Sequence, residues 1–278
     1  MSNRVVRFAF TALAPALCTL PCVAQSNSST SASCASLPNY QALKSALAQA
    51  VVAETSGLNN QMWATIVDRS GTVCAVAYSG TKVGSQWLGS RVISAQKANT
   101  ANDFSLDTSA ASNGSGGALA LSTANLYSAV QPGGSLFGLQ ESNPVDTSVA
   151  YGPVFALYGT AADPMVGKII GGVNVFGGGL ALYGPGDVLL GAVGASGDTS
   201  CADHFIAWRV RNLLGLDHLG TSIPGPASLF NSDPTHPDNI IFDIAANPYG
   251  GTGISTSGFG HPTCLNTGNP SSLPAVSE

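Results

Sequence analysis

The 18 residues from Ile169 to Gly186 carry no charge and include seven glycines, clustered at Gly171-Gly172 and Gly177-Gly178-Gly179. An uncharged run of this length approaches that of a membrane-spanning helix, but each glycine inside a helix costs about 1 kcal/mol relative to alanine. Buried strands joined by a glycine turn satisfy both observations, because a strand covered on both faces shows no polar side. The run therefore predicts two strands and no stable membrane span. Val188 to Val193 supplies a third strand, closed by Ser196-Gly197-Asp198.

Before this run, the apolar positions Leu43, Ala46, Leu47, Ala50 and Val51 repeat at helical spacing, predicting a helix over 39–54 that stops at Ser56-Gly57. Met62 to Val67 and Thr72 to Tyr78 flank Asp68-Arg69-Ser70-Gly71 and read as a β-hairpin. A second helix is expected over 88–104, where Val92, Ala95, Ala98 and Ala101 form a narrow stripe that lets a helix sit close to a sheet, with Arg91, Ser94 and Lys97 on a neighbouring face. Residues 110–117 are Ser/Gly-rich and read as a loop; a short helix is expected around 119–127 and a strand near 136–139. A third long helix begins at Ser200, with Asp203 in a capping-box position, and ends at Gly215. Antiparallel strands with helices gathered to one side make an α+β domain.

Only 25 of the 278 residues are charged, and this 9% is about a third of the usual roughly 25%. Ten cations scattered along the chain cannot build a phosphate-tracking stripe, so nucleic acid is excluded as a partner. Residues 1–25 have the layout of a secretory signal peptide: Arg4 and Arg7, an apolar stretch from Phe8 to Leu20, then Cys22-Val23-Ala24-Gln25. A secreted or periplasmic location follows. The chain after the leader carries eight cations against fifteen anions. Residues 26–36 read as a flexible lead-in, 37–219 as the folded domain, and 220–278 as an irregular extension rich in Pro, Gly, Asn and Ser.

Four cysteines remain after the leader, and in an oxidising compartment an even number reads as disulfides. Cys34, Cys74, Cys201 and Cys264 allow three pairings, of which Cys34 with Cys74 and Cys201 with Cys264 is favoured. The same residues offer a second chemistry. Cys201-x-x-His204 and His261-x-x-Cys264 have a spacing that could hold zinc, but oxidation competes with thiolate ligation, so no metal is expected. Asp203-His204 with Ser196, Ser200 or Asp198 could be drawn as a hydrolase triad, but nothing in the sequence orders them. Asp233, Asp238 and Asp243 match no calcium loop. The chain lacks a G-x-S-x-G elbow, a G-K-S or G-K-T phosphate loop and an H-E-x-x-H helix. No catalytic residue is assigned.

Taken in order, several of these pieces resemble a known family. Ile66-Val67-Asp68-Arg69-Ser70-Gly71, Ser90-Arg91, Ala95-Gln96-Lys97-Ala98-Asn99-Thr100-Ala101 with Phe104, Gly171-Gly172-Val173, and Leu190-Gly191-Ala192-Val193-Gly194-Ala195-Ser196-Gly197-Asp198 are similar to the GlcG/HbpS-like family of haem-binding and haem-degrading-domain proteins. The resemblance covers about 37–216. It implies a profilin-like antiparallel sheet with flanking helices, homo-oligomers, and haem binding or sensing in exported members. It also implies a ligand-facing region at Lys97, Thr100 and the Gly171-Gly172 loop. The chain has no histidine before His204, so no iron ligand on the first helix carries over.

The reading that follows is an exported, non-catalytic haem-binding protein. Arg91 and Lys97 would pair with the propionates of haem or with another anionic small molecule, and Phe104 and Phe137 would cover the macrocycle. An enzyme acting on haem or a small organic acid, and a disulfide-stapled interaction protein, are the alternatives.

Overall fold

The computed structural model describes residues 34–110 and 117–278. The expected leader over 1–25, most of the lead-in and the Ser/Gly-rich loop at 111–116 lie outside the described residues. The helices are α1 (Tyr40–Ala53), α2 (Ser90–Phe104), the single turns α3 (Leu139–Ser142) and α4 (Thr147–Ala150), α5 (Ser200–Leu213) and the short α6 (Pro226–Phe230). The strands are β1 (Trp63–Asp68), β2 (Val73–Tyr78), β3 (Gly179–Gly184) and β4 (Val188–Ser196), with a two-residue pair β5 (Ile244–Ala245) and β6 (Ile254–Ser255) in the extension. The first four strands form one antiparallel sheet in the order β2-β1-β4-β3.

Local chemistry accounts for the ends of these elements. The Asn39 side chain accepts the Ala42 N–H at 3.1 Å and caps α1. Gly71 closes the β1–β2 turn at φ 81°, a conformation that only glycine adopts without strain. At α5 the cap is Thr199, one residue before the expected Ser200, and its side chain accepts the Ala202 N–H. Gly215, at φ 62°, ends the helix.

The helices cover both faces of the sheet, not one. Ala64, Ile66, Leu180, Leu182, Val193 and Ala195 pack with the apolar stripes of α1 and α5, whereas Trp63, Val67, Val73, Val76 and Ala192 pack with Val92, Ala95, Ala98 and Ala101 of α2. Alternation along β1 sends successive side chains to the two layers, which is why every residue of that strand is buried. The small stripe of α2 meets glycines: a Cβ on Gly194 would lie 2.0 Å from the Ser94 carbonyl oxygen, and one on Gly179 would lie 2.4 Å from that of Lys97.

Three other local expectations change. The uncharged run yields one strand, β3, because Ile169 to Val175 makes only single bridges, Ile169 to Thr72 and Gly171 to Val145. The short helix at 119–127 reduces to 3-10 turns at Thr123–Leu126 and Ser128–Val130. Around 136–139 the backbone forms turns leading into α3, with Gly138 at φ 90°. The extension is packed against the body: Ile240 and Leu273 belong to the main core, and Asp238 receives both Arg211 amino groups, at 2.6 and 2.8 Å. Both favoured disulfides are formed, Cys34–Cys74 and Cys201–Cys264. No helix among the described residues is long and apolar enough to cross a membrane.

Candidate functional site

The site is built where β4 runs out. Gly197-Asp198 turns the chain into α5, and Asp203 on the first turn of that helix accepts the Gly197 and Asp198 N–H groups at 3.1 and 2.8 Å. Its other oxygen takes the Lys97 ammonium from α2 at 2.6 Å, and Lys97 also donates to the Ala195 carbonyl at 3.1 Å. Both side chains are buried. Burial pushes the Asp203 carboxyl up to about 6 against the pull of Lys97, and it lowers Lys97 from its ordinary value.

Ser200 occupies the first position of the same helix. Its hydroxyl accepts the Gly177 N–H at 2.6 Å and lies 2.7 Å from His261 Nε2. His261 Nδ1 is 2.7 Å from the Pro262 carbonyl, an arrangement that assigns the ring proton to Nδ1 and leaves Nε2 to accept from Ser200. Burial lowers His261 to about 4 and His204 to about 3, so both imidazoles are neutral at pH 7.

Beside these groups is a cavity of about 270 Å³ lined by Trp87, Ser90, Ile93, Phe176, Ser196, Asp198, Ser200 and Asp203. Trp87 and Phe176 are 53% and 48% exposed, high for aromatic rings, and make the cavity wall apolar on the solvent side. Asp198 offers the cavity little free charge, since its two oxygens accept the Leu58 and Asn60 N–H groups at 2.8 and 2.9 Å. A second cavity of about 450 Å³ lies between the Tyr127–Ser135 segment and the β5–β6 hairpin, with an uncharged lining.

The cations singled out in the sequence do not face this cavity as free charges. Arg91 is buried; its Nε donates to Asp163 at 2.8 Å, its Nη2 to the other Asp163 oxygen and its Nη1 to the Ala150 carbonyl at 2.7 Å. Its guanidinium also stacks 3.7 Å from the Tyr158 ring centroid. Arg91 thus organises the 146–166 loop, and Lys97 is held by Asp203. Each cation is already paired with a buried carboxylate, and a propionate at either residue would have to displace it.

The remaining sequence candidates are distributed as follows. Thr100 accepts the Asn174 N–H at 2.9 Å, and the Gly172 carbonyl accepts from Asn99 at 3.0 Å, so the Gly171-Gly172 loop is stitched to α2. Gly171 and Gly172 have φ of 65° and 85°. This loop leads directly to Phe176 on the cavity wall. Phe104 packs with Leu121, Val173 and Phe259 in a separate cluster, and Phe137 is exposed in the turns before α3. His204 turns away from the cysteines toward Asn239 Oδ1, at 3.1 Å, so the four-residue zinc arrangement is not assembled. Nor does Asp203 orient His204. Asp233, Asp238 and Asp243 are held by separate partners, His236, Arg211 and Ser255.

Sequence reading missed Trp87, Ile93 and Phe176, and named His261 only for its spacing to Cys264. The first three carry no periodic or motif signal; Trp87 and Phe176 stand out only by their exposure in the fold. His261 had one: with Cys201 bonded to Cys264, residues 200 and 261 are brought together.

The family model described as haem degrading protein HbpS-like matches residues 41–210. No curated protein matches the chain. Among solved structures the chain is similar to protein ORFY of Klebsiella pneumoniae, at 24% identity and TM-score 0.40, over 63% of this chain and 86% of that one. It is similar to the PduOC:haem complex at 22% identity and TM-score 0.40, over 62% and 89%. A double mutant of HbpS from Streptomyces reticuli aligns at 12% identity and TM-score 0.36, over 73% and 99%. Every residue lining the 270 Å³ cavity falls within the matched span.

Proposed function

The chain belongs to the HbpS-like family of haem-degrading proteins, and from that premise we propose that it is an exported protein that binds haem without turning it over. The observation that carries this reading is the wall formed by Trp87, Ile93 and Phe176. Two half-exposed aromatic rings flank a cavity inside the family-matched span. A macrocycle is a flat apolar surface, and burying it against such rings removes apolar area from water on both sides. The residues present therefore fit the ring of haem. Haem would supply a redox-active iron, but among the described residues no imidazole, thiolate or thioether lines this wall, so the contact assigned to the chain is with the ring alone.

Binding without turnover is supported by the state of the polar groups. Lys97 is tied to Asp203 and both Asp198 oxygens are occupied, so among the described residues no acid, base or cation on the cavity wall is uncommitted. Export is supported by the leader-like residues 1–25 and by the two disulfides. Assembly into homo-oligomers rests on the family resemblance.

Titration with hemin at micromolar concentration tests the proposal. The Soret band of bound hemin should shift from its free position with a pattern lacking imidazole ligation, and Trp87→Ala should weaken binding by about tenfold, the effect of losing roughly 1.4 kcal/mol of ring burial. An unchanged free-hemin spectrum would overturn it. One observation favours the alternative of an enzyme acting on haem or a small organic acid: Asp203, poised near pH 6, is on the cavity wall. That reading requires loss of the bound chromophore under reductant, abolished in Asp203→Asn.

A further inference from the structure

The Cys201–Cys264 bond joins the start of α5 to the extension, beyond the family-matched residues, and a histidine lies against it. Donor atoms of Cys201, Cys264 and His261 all lie within 4.8 Å of one another. Each is placed by its own backbone. Cys201 is the second residue of a 14-residue helix capped by Thr199, and its N–H donates to Cys264 Sγ at 3.1 Å. His261 is fixed by its N–H to the Ile241 carbonyl at 2.8 Å and is buried, whereas Cys264 is partly exposed and gives a route in from solvent.

We propose that in the reduced chain Cys201, Cys264 and His261 form a binding site for a thiophilic closed-shell cation such as zinc, so that the junction alternates between a disulfide and a metal centre. Two thiolates and one imidazole are a donor set suited to such a cation, with a fourth position left to solvent. The α5 N-terminus and the Cys201 N–H both stabilise negative charge on Cys264 sulfur, which favours the thiolate needed for ligation. His204 is outside the set because its ring nitrogens are not among the donor atoms that lie within 4.8 Å of one another, and ligation through His261 Nε2 replaces that atom's contact with the Ser200 hydroxyl.

The redox step is balanced by an external dithiol. The dithiol gives up two electrons and two protons and closes to its own disulfide; the Cys201–Cys264 bond breaks, and two thiols form. Metal binding then releases the two thiol protons to solvent. Oxidation runs the sequence backwards and expels the cation, leaving the extension attached to α5 in either state.

The other cluster of this kind among the described residues, Cys34, Asp68 and Cys74, provides the internal control. The full chain is reduced anaerobically with a dithiol, freed of reductant by gel filtration, and titrated with cobalt(II) as a spectroscopic stand-in for zinc. One equivalent should develop thiolate-to-cobalt charge-transfer and tetrahedral visible bands that zinc abolishes, and the oxidised chain should give neither. His261→Ala should weaken cobalt binding by at least the roughly tenfold that even outer partners of a metal site cost. Alkylation of the unmodified chain gives a readout independent of any variant's folding: cobalt should protect Cys201 and Cys264 and leave Cys34 and Cys74 reactive. Absence of the charge-transfer band, an unchanged affinity in His261→Ala, or protection confined to Cys34 and Cys74 would each overturn the proposal.

Discussion

Lys97 Nζ lies 2.6 Å from Asp203 Oδ2, and this pair, 106 residues apart in sequence, ties the middle of α2 to the first turn of α5 beneath the cavity wall. Asp203 also holds the Gly197 and Asp198 amides, so one carboxylate fixes the chain reversal after β4 and the helix that follows it.

Removing one partner of such a pair leaves the other buried and uncompensated. Lys97→Met should destabilise the protein by about 3–5 kcal/mol, and Lys97→Met with Asp203→Leu should recover part of that loss. Urea denaturation of the two single variants and the double variant measures the coupling. Equal, additive losses would show that the pair contributes nothing beyond its separate packing.

Arg91 provides the sharpest separation between a structural cation and a ligand clamp. With its guanidinium committed to Asp163, the Ala150 carbonyl and the Tyr158 ring, Arg91→Met should cost about 3–5 kcal/mol of stability. Hemin affinity of the folded fraction should stay within about twofold, less than the change from losing a single exposed ion pair. A large drop in affinity without loss of stability would return Arg91 to the role of propionate clamp.

Acid should weaken the fold well above the ordinary carboxylate range. His204 and His261 have folded values of about 3 and about 4, below the ordinary 6.5, so the unfolded chain binds more protons as pH falls below 6.5. Their contribution to stability is fully present above that value and is lost as pH falls toward 4, at a limit of about 1.4 kcal/mol per unit for each histidine. Asp203, raised to about 6, acts in the opposite direction between 6 and 3.8 and offsets one of the two. Stability measured by urea from pH 7 to pH 4.5 should therefore fall with acid, and the slope should diminish in His261→Gln.

The contact between α2 and the sheet leaves no room for a methyl group at Gly194, where a Cβ would sit 2.0 Å from the Ser94 carbonyl oxygen and 2.6 Å from the Ala98 nitrogen. Gly194→Ala should destabilise by about 3 kcal/mol or more, at the upper end of overpacking costs, because backbone cannot step aside as a side chain can. A thermal midpoint within 2 °C of the parent, against the roughly 6–12 °C that 3 kcal/mol shifts a domain of this size, would show that α2 can lift from the sheet freely.

Much of the architecture is legible in the residues. The stripe Leu43, Ala46, Leu47, Ala50 and Val51 marks α1, the Asp68-to-Gly71 turn marks the first hairpin, and the small-residue stripe Val92, Ala95, Ala98 and Ala101 on α2 signals a close helix–sheet contact. These patterns are local, and backbone sterics and burial act on them directly. The second strand expected before Gly177 is absent because apolar composition does not provide a partner for its backbone; Ile169 to Val175 instead bonds to α2 and the 145 loop.

The sequence by itself determined the antiparallel α+β class, the scarcity of charge and the family resemblance, because each depends on composition or on short-range pattern. Only the tertiary structure decided which groups the few cations pair with and which residues line the cavity beside Asp203. Arg91 and Lys97 are conspicuous in an acidic chain, yet the fold places Asp163 and Asp203 against them, since a charge taken out of water requires a counter-charge wherever the chain can supply one. Their partners come from 72 and 106 residues away, a distance over which no local pattern speaks. The same long-range closure left Trp87 and Phe176 uncovered and brought His261 to Cys201.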